Sequence, residues 1–158
     1  MRRKDREITD GEKIREIIEG CDCLRLGLCD DEGMYIVPLN FGAVCEAGQW
    51  YFYCHGASAG RKYDCIQNRG RAAFEMDRAH ELVTGREACE YSYLYESIIG
   101  DGTVEVVEDP EEKKKGLDAV MNHYGRGEWH YDAELMRRVA VFKIRVLHLS
   151  CKAHYESE

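Results

Sequence analysis

An antiparallel β-barrel with a few peripheral helices is the fold the sequence predicts, and three observations predict it. Short β-rich runs recur along the whole chain, at 23–29, 34–41, 50–55, 71–77, 91–107 and 139–149. Helical patterning is confined to a few short segments between them. The longest run carries Gly100-Asp101-Gly102 in its middle, where glycine marks a bulge or a sharp bend. Six strands of this kind make a mostly β, closed or nearly closed antiparallel sheet. Small barrels fill their interiors with side chains, so a ligand would sit outside, in a cleft or between subunits.

The elements follow in order. Thr9-Asp10-Gly11-Glu12 has the spacing of a capping box, and Ile14, Ile17 and Ile18 mark the inner stripe of a helix over about 10–20, ending near Gly20. The barrel spans about 23–149. Cys23 to Cys29 alternates with period two, and Asp30-Asp31-Glu32-Gly33 is a turn. Met34 to Phe41 is the second strand; Pro38 removes a ladder donor there, which places it at an edge or at a bulge. Glu46-Ala47-Gly48 turns into the third strand, and Tyr63 to Asn68 reads as a helix. Arg78 to Glu90 is polar and poorly periodic and reads as a long loop. Asp109-Pro110-Glu111-Glu112 opens a helix, with an Asp cap, Pro at the first position and Glu to close a capping box. Leu117, Val120, Met121 and Tyr124 form its buried stripe, Asp132 opens a short helix through Arg138, and 150–158 is a short tail.

A chain of 158 residues forms one domain with a real core. No apolar run is long enough for a membrane span, and the charged start, Met1 to Arg6, is followed by no apolar signal region. These features point to a cytoplasmic protein without a membrane partner. A net charge of −8 argues against nucleic acid as the main partner. The eight cysteines form no CxxC pair and fit structural thiols in a reducing compartment. His123, Glu128 and His130 match no common metal spacing, so no metal is expected.

Against this acidic background one stretch stands out: His55-Gly56-Ala57-Ser58-Ala59-Gly60-Arg61-Lys62, between the third strand and a helix. Ser58 is a good N-cap residue. Arg61 and Lys62 then fall in the first turn, where the helix dipole disfavours cations by about 0.3–1 kcal/mol each. A bound anion reverses that penalty, since free N–H groups, the dipole and two cations would all face it. The stretch therefore reads as a phosphate cradle; the bland alternative is a pair of solvated cations.

Four segments together resemble the nitroimidazole-resistance proteins of the pyridoxamine 5′-phosphate oxidase-like split β-barrels. They are Tyr35 to Phe41, Tyr53 to Lys62, Tyr95 to Gly102 and Val107 to Lys113, and the match runs over nearly the whole chain. The resemblance implies a six-stranded, FMN-binding split barrel that forms a homodimer, with the flavin in clefts between subunits. It assigns the flavin phosphate to Arg61 and Lys62, and the strand beside the isoalloxazine ring to Val37, Pro38, Leu39 and Asn40. Cys54 and His55 form the strand end before the phosphate turn, and Ser97 is the position reaching the flavin from the long strand. Ser58 joins this set through its place in the cradle. Asn40 stands where true pyridoxamine 5′-phosphate oxidases carry a basic residue, and their terminal Arg- and Trp-containing motif is missing, so vitamin B6 oxidation is not implied.

Two functions follow. One is an FMN-dependent oxidoreductase passing electrons from NADH or NADPH to a small acceptor such as a nitroaromatic. The other is a non-catalytic flavin- or haem-binding or sensing protein on the same fold. His55 is the candidate catalytic residue, as a proton donor to the acceptor; its alternative is to order the turn. Tyr91, Tyr93 and Tyr95 share one face, for ordinary sheet packing first and a dimer contact or a flavin stack second.

Overall fold

In a computed structural model that describes residues 3–155, eight strands form one antiparallel sheet. They are β1 (Glu7–Ile8), β2 (Leu24–Asp30), β3 (Gly33–Leu39), β4 (Phe41–Glu46), β5 (Gln49–Ala57), β6 (Arg71–Val83), β7 (Ser92–Val106) and β8 (Val139–His154). The hydrogen-bonded order is β3-β2-β6-β7-β8-β5-β4, with β1 paired to the far end of β8. The helices are α1 (Gly11–Glu19), α2 (Arg61–Arg69), α3 (Pro110–Tyr124) and α4 (Ala133–Arg138).

The two ends of this path, β3 and β4, are joined by Asn40 alone. With one residue between them, the Cα atoms of Leu39 and Phe41 can stand no more than about 7 Å apart, so the sheet must roll until its edges lie side by side. Because β3 and β4 do not pair among the described residues, the barrel is split rather than closed. Pro38 sits on β3, which pairs only with β2, so its missing N–H costs no ladder bond on a free edge.

The barrel interior is filled by Leu24, Leu26, Leu28, Phe41, Phe52, Phe74, Ile98, Phe142 and Ile144. Ile17, Ile18 and Cys21 of the α1 segment close it on one side, and Cys65 and Ile66 of α2 on another. A second cluster lies outside, where Leu117 and Val120 of α3 cover Tyr53 and Val141. Tyr53 also donates to Glu112 Oε1 at 2.5 Å, and Lys143 Nζ reaches the same oxygen at 2.5 Å. No helix among the described residues is long and apolar enough to cross a membrane.

The class is as expected, but several elements differ. The count is eight, not six: the expected second strand breaks at Asn40 and 41–46 forms a separate strand on β5, and Glu7–Ile8 adds a short strand on β8. The polar stretch 78–83 is not loop: it continues β6, paired to β7 past a register shift between Arg78 and Glu81. That ribbon extends into solvent, with Leu82 and Tyr93 exposed, so neither strand carries a buried face to produce the alternation. The expected tail is also strand, since β8 runs to His154 between β1 and β7; residues 156–158, like Met1 and Arg2, lie outside the described residues. The cap of α1 is Asp10, which accepts from Lys13 N–H at 2.7 Å. Asp109 caps α3 as read, accepting from Glu112 N–H at 2.8 Å, but the Glu112 side chain turns to Tyr53 and Lys143 instead of closing a box. The bend expected near Gly100–Gly102 is a register shift between Asp101 and Gly102 against β8.

Candidate functional site

The stretch 55–62 lies at the exit of β5 and the entry of α2. Ser58 is not the cap of this helix. Gly60 is, at φ +102°, a conformation that side-chain-bearing residues rarely adopt, and no side chain caps the turn. The sequence places three small residues between β5 and α2, and the chain uses the last of them to reverse. The first-turn N–H groups of Arg61, Lys62 and Tyr63 therefore keep no hydrogen-bond partner among the described residues.

Arg61 and Lys62 have opposite environments. Arg61 makes a two-pronged ion pair with Asp30, Nε to Oδ2 at 2.7 Å and Nη2 to Oδ1 at 2.9 Å, and stacks over the Tyr35 ring at 4.9 Å. The Arg61 hydrogen bonds bring the Asp30 carboxyl down to about 2. Lys62 has no carboxylate partner among the described residues. Its ammonium stands 5.2 Å from the centre of the Phe142 ring and crosses the bare Cα of Gly56, where an added Cβ would lie 2.6 Å from Nζ. Burial in this seat lowers the Lys62 pKa.

His55 is exposed one residue before Gly56. Burial of the imidazole by surrounding chain, and then the charge of Lys62, hold it below its ordinary value. It is therefore mainly neutral at pH 7, a hydrogen-bonding group rather than a store of an extra proton.

The remaining expected residues are placed as follows. Pro38 and Asn40 are exposed on the outside of the β3 edge, and Val37 and Leu39 lean on the core. The Cys54 thiol is fully buried in the barrel, where burial pushes it up to about 12. Ser97 lies on β7 opposite Asp77 and Lys152. Through β6 that level meets β2 near Arg25, whereas Arg61 meets Asp30 at the other end of β2. The chain thus brings His55, Gly56, Arg61 and Lys62 together and leaves Ser97 apart. His123, weighed for metal, gives Nε2 to the Cys21 carbonyl at 2.7 Å and packs on Phe41.

Asp30, Tyr35 and Phe142 belong to this site and were not singled out in the sequence. Asp30 reads there as a turn residue, and nothing local ties it to Arg61, 31 positions away. A cleft of about 460 Å³ borders Arg61 on the Asp30 side, lined by Asp30, Asp31, Glu32 and Asp64 as well as Arg61 and Arg69. Its four carboxylates would repel a phosphate, and Lys62 does not line it.

Arg61, Lys62 and the turn through Gly56 and Gly60 thus stand together at the entry of α2 on a split barrel. The pyridoxamine 5′-phosphate oxidase family model matches residues 10–153, and the chain belongs to that family. It is similar to a candidate 5-nitroimidazole antibiotic resistance protein from Bacteroides thetaiotaomicron, with 33% identity over 93% of this chain and 86% of that one and a TM-score of 0.81. The flavocytochrome Anf3 of Azotobacter vinelandii has the same fold, with a TM-score of 0.82 at 21% identity, covering 99% of this chain and 72% of that one. So does an FAD- and heme-binding protein of Mycobacterium smegmatis, with a TM-score of 0.81 at 18% identity, covering 97% and 76%. No curated protein matches the chain in sequence.

Proposed function

We propose that this chain is an FMN-dependent oxidoreductase that passes electrons from a reduced nicotinamide donor to a small acceptor such as a nitroaromatic. The observation that carries the reading is Lys62: a cation without a carboxylate, seated over Gly56 beside three unpartnered helix N–H groups. The residues fit a phosphorylated flavin. Lys62 and the first-turn N–H groups would hold the phosphate, and Asp30 fixes the Arg61 guanidinium alongside. FMN, when bound, supplies the electron transfer; the protein supplies position, electrostatics and access.

His55 follows from the same geometry. Part of its low pKa comes from Lys62. A phosphate against Lys62 neutralises that part, so His55 gains affinity for a proton when the site fills and can then give it to an acceptor.

The proposal includes a homodimer with the flavin at the subunit interface. What supports it is the outer face of the sheet, where Met34, Ile36 and Ile99 are exposed on β3 and β7 around shallow apolar clefts lined by Gly27, Ala73 and Phe74. Large exposed apolar residues on one face mark a partner surface. A cytoplasmic location is part of the same proposal, in keeping with the eight free thiols.

The test is an absorption spectrum of the purified dimer, followed by anaerobic addition of NADH or NADPH and then a nitroimidazole. Flavin bands that bleach with donor and return with acceptor are expected. Bound flavin that no nicotinamide bleaches would make the chain a flavin-binding protein without this reductase activity. Protein that takes up no flavin would end the proposal.

A further inference from the structure

We propose that the outer face at the far end of β8 carries a site for a compact oxyanion, a phosphate or a carboxylate, formed by Arg6, Tyr95 and Lys152. It lies at the Ser97 level of the sheet and does not depend on the cradle at α2.

The register brings these residues together. On the β7–β8 ladder, Ser97 lies opposite Lys152 and Tyr95 opposite His154. Glu96 and Ile98 are buried, so Tyr95 and Ser97 point to the outer face, and Lys152 and His154 share it. The Lys152 ammonium stands 5.4 Å from the centre of the Tyr95 ring. The His154 ring packs edge-on against the same ring, 6.2 Å between centres. His154 donates from Nδ1 to the Tyr93 carbonyl at 2.9 Å, which orients it beside the phenol. His154 also lines a cavity of about 280 Å³ whose wall includes Arg3, Asp5 and Arg6.

Two cations meet here on one phenol. Burial alone would raise the Tyr95 pKa, but hydrogen bonds from Lys152 and Arg6, and then their charges, hold it below its ordinary value. A single surface cation without an ion pair signals nothing. Two half-buried cations converging on one neutral acceptor repel each other, and an anion between them relieves that repulsion. The carboxylates around the cluster do not play that part. Asp5 is held by Arg3 at 2.6 and 2.9 Å, and Asp77, opposite Ser97, by Arg25 and His80. Glu7 lies opposite Lys152 in the ladder but forms no ion pair with it among the described residues. The Arg6 fork, the Lys152 ammonium and the Tyr95 O–H are all donors, which suits the oxygens of one phosphate or carboxylate.

The experiment titrates inorganic phosphate and acetate, each by calorimetry, into the full chain carrying Lys62→Ala, so that the cradle does not take the probe. The same background is then given Lys152→Met or Arg6→Met. Methionine at 152 keeps a chain of similar length over the Tyr95 ring and removes the charge. Saturable binding of at least one probe is expected, weakened roughly ten- to a hundredfold by either substitution. Binding of phosphate alone assigns a phosphorylated ligand, and binding of acetate alone a carboxylic acid. A second readout belongs to Tyr95, whose titration is identified by its loss in Tyr95→Phe. It should move to higher pH when the probe binds, because a neighbouring anion disfavours the phenolate. No binding of either probe, or binding that survives both substitutions, overturns the proposal. So does a Tyr95 titration that the bound probe leaves unmoved.

Discussion

Two charged regions of this molecule are built on opposite plans. At one end of the barrel, Glu96 is 3% exposed and fully engaged. It accepts from Arg78 Nε at 2.5 Å and Tyr155 O–H at 2.5 Å and lies 3.1 Å from Lys13 Nζ, while Arg78 and Lys13 both also reach Glu16. Burial alone would raise its carboxyl pKa, but the donors from Tyr155, Arg78 and Lys13 hold it below the ordinary carboxylate value. Every charge there is answered within the fold. At the mouth of α2, Arg61 is answered by Asp30 and Lys62 is not. The first region ties α1, β6, β7 and the C-terminal segment together. The second leaves a cation and three N–H groups without a partner among the described residues. The difference separates charge that serves stability from charge that, on the proposed function, is kept for a ligand.

The comparison breaks most visibly through Glu96. Glu96→Ala leaves Arg78 and Lys13 facing a buried gap. Removing one partner of a buried pair costs about 3–5 kcal/mol, and the low end applies because Glu16 still holds both cations. The expected result is a fall in Tm of roughly 6–12 °C by calorimetry, with FMN affinity unchanged at a temperature where the variant is folded. The pH dependence has a definite sign. With its folded pKa depressed, Glu96 contributes stability above the ordinary carboxylate range and loses it as pH falls through the folded value. Acid should therefore destabilise wild type more than the variant. A variant as stable as wild type, or one that loses flavin while folded, would erase the distinction between the two regions.

Gly56→Ala sharpens the other half. The added Cβ would crowd the far end of Lys62, at 2.6 Å from Nζ, and touch the Phe142 ring at 3.4 Å, an ordinary contact, so the ammonium shifts and the fold does not. Stability should stay within about 0.5 kcal/mol, in the range of surface substitutions. FMN should bind several-fold more weakly, with riboflavin unaffected. Unaltered FMN binding would mean that the seat of Lys62 over Gly56 is not what the ligand uses.

Much of this was legible in the sequence, for identifiable reasons. Capping by Asp109, the stop at Gly20 and the edge position of Pro38 are local chemistry, read from neighbours in the chain. The cations at 61 and 62 stand out because they sit at the wrong end of a helix. What stayed hidden depends on distant partners. Asp30 reaches Arg61 across the barrel, and Glu96 gains its partners from α1, β6 and Tyr155. The strand at 78–83 has no buried face, so it lacks the alternation that reveals strands. The break at Asn40 follows from the roll of the whole split sheet, a global condition that one asparagine does not announce. Ser58 looked like a cap by residue type, but Gly60 takes the position through a backbone conformation closed to serine.

The central claim is that Lys62 and the open N-terminus of α2 are kept for a phosphate. The most direct measurement is the ratio of FMN to riboflavin affinity in flavin-free protein, by fluorescence quenching, for wild type and Lys62→Ala. A hydrogen bond to a charged group is worth about 1.5–3 kcal/mol. Wild type should therefore prefer FMN by at least tenfold. Lys62→Ala should lose ten- to a hundredfold in FMN affinity while riboflavin binding stays the same. Equal affinity for the two flavins in wild type, or a preference for FMN that survives the loss of Lys62, would contradict the account.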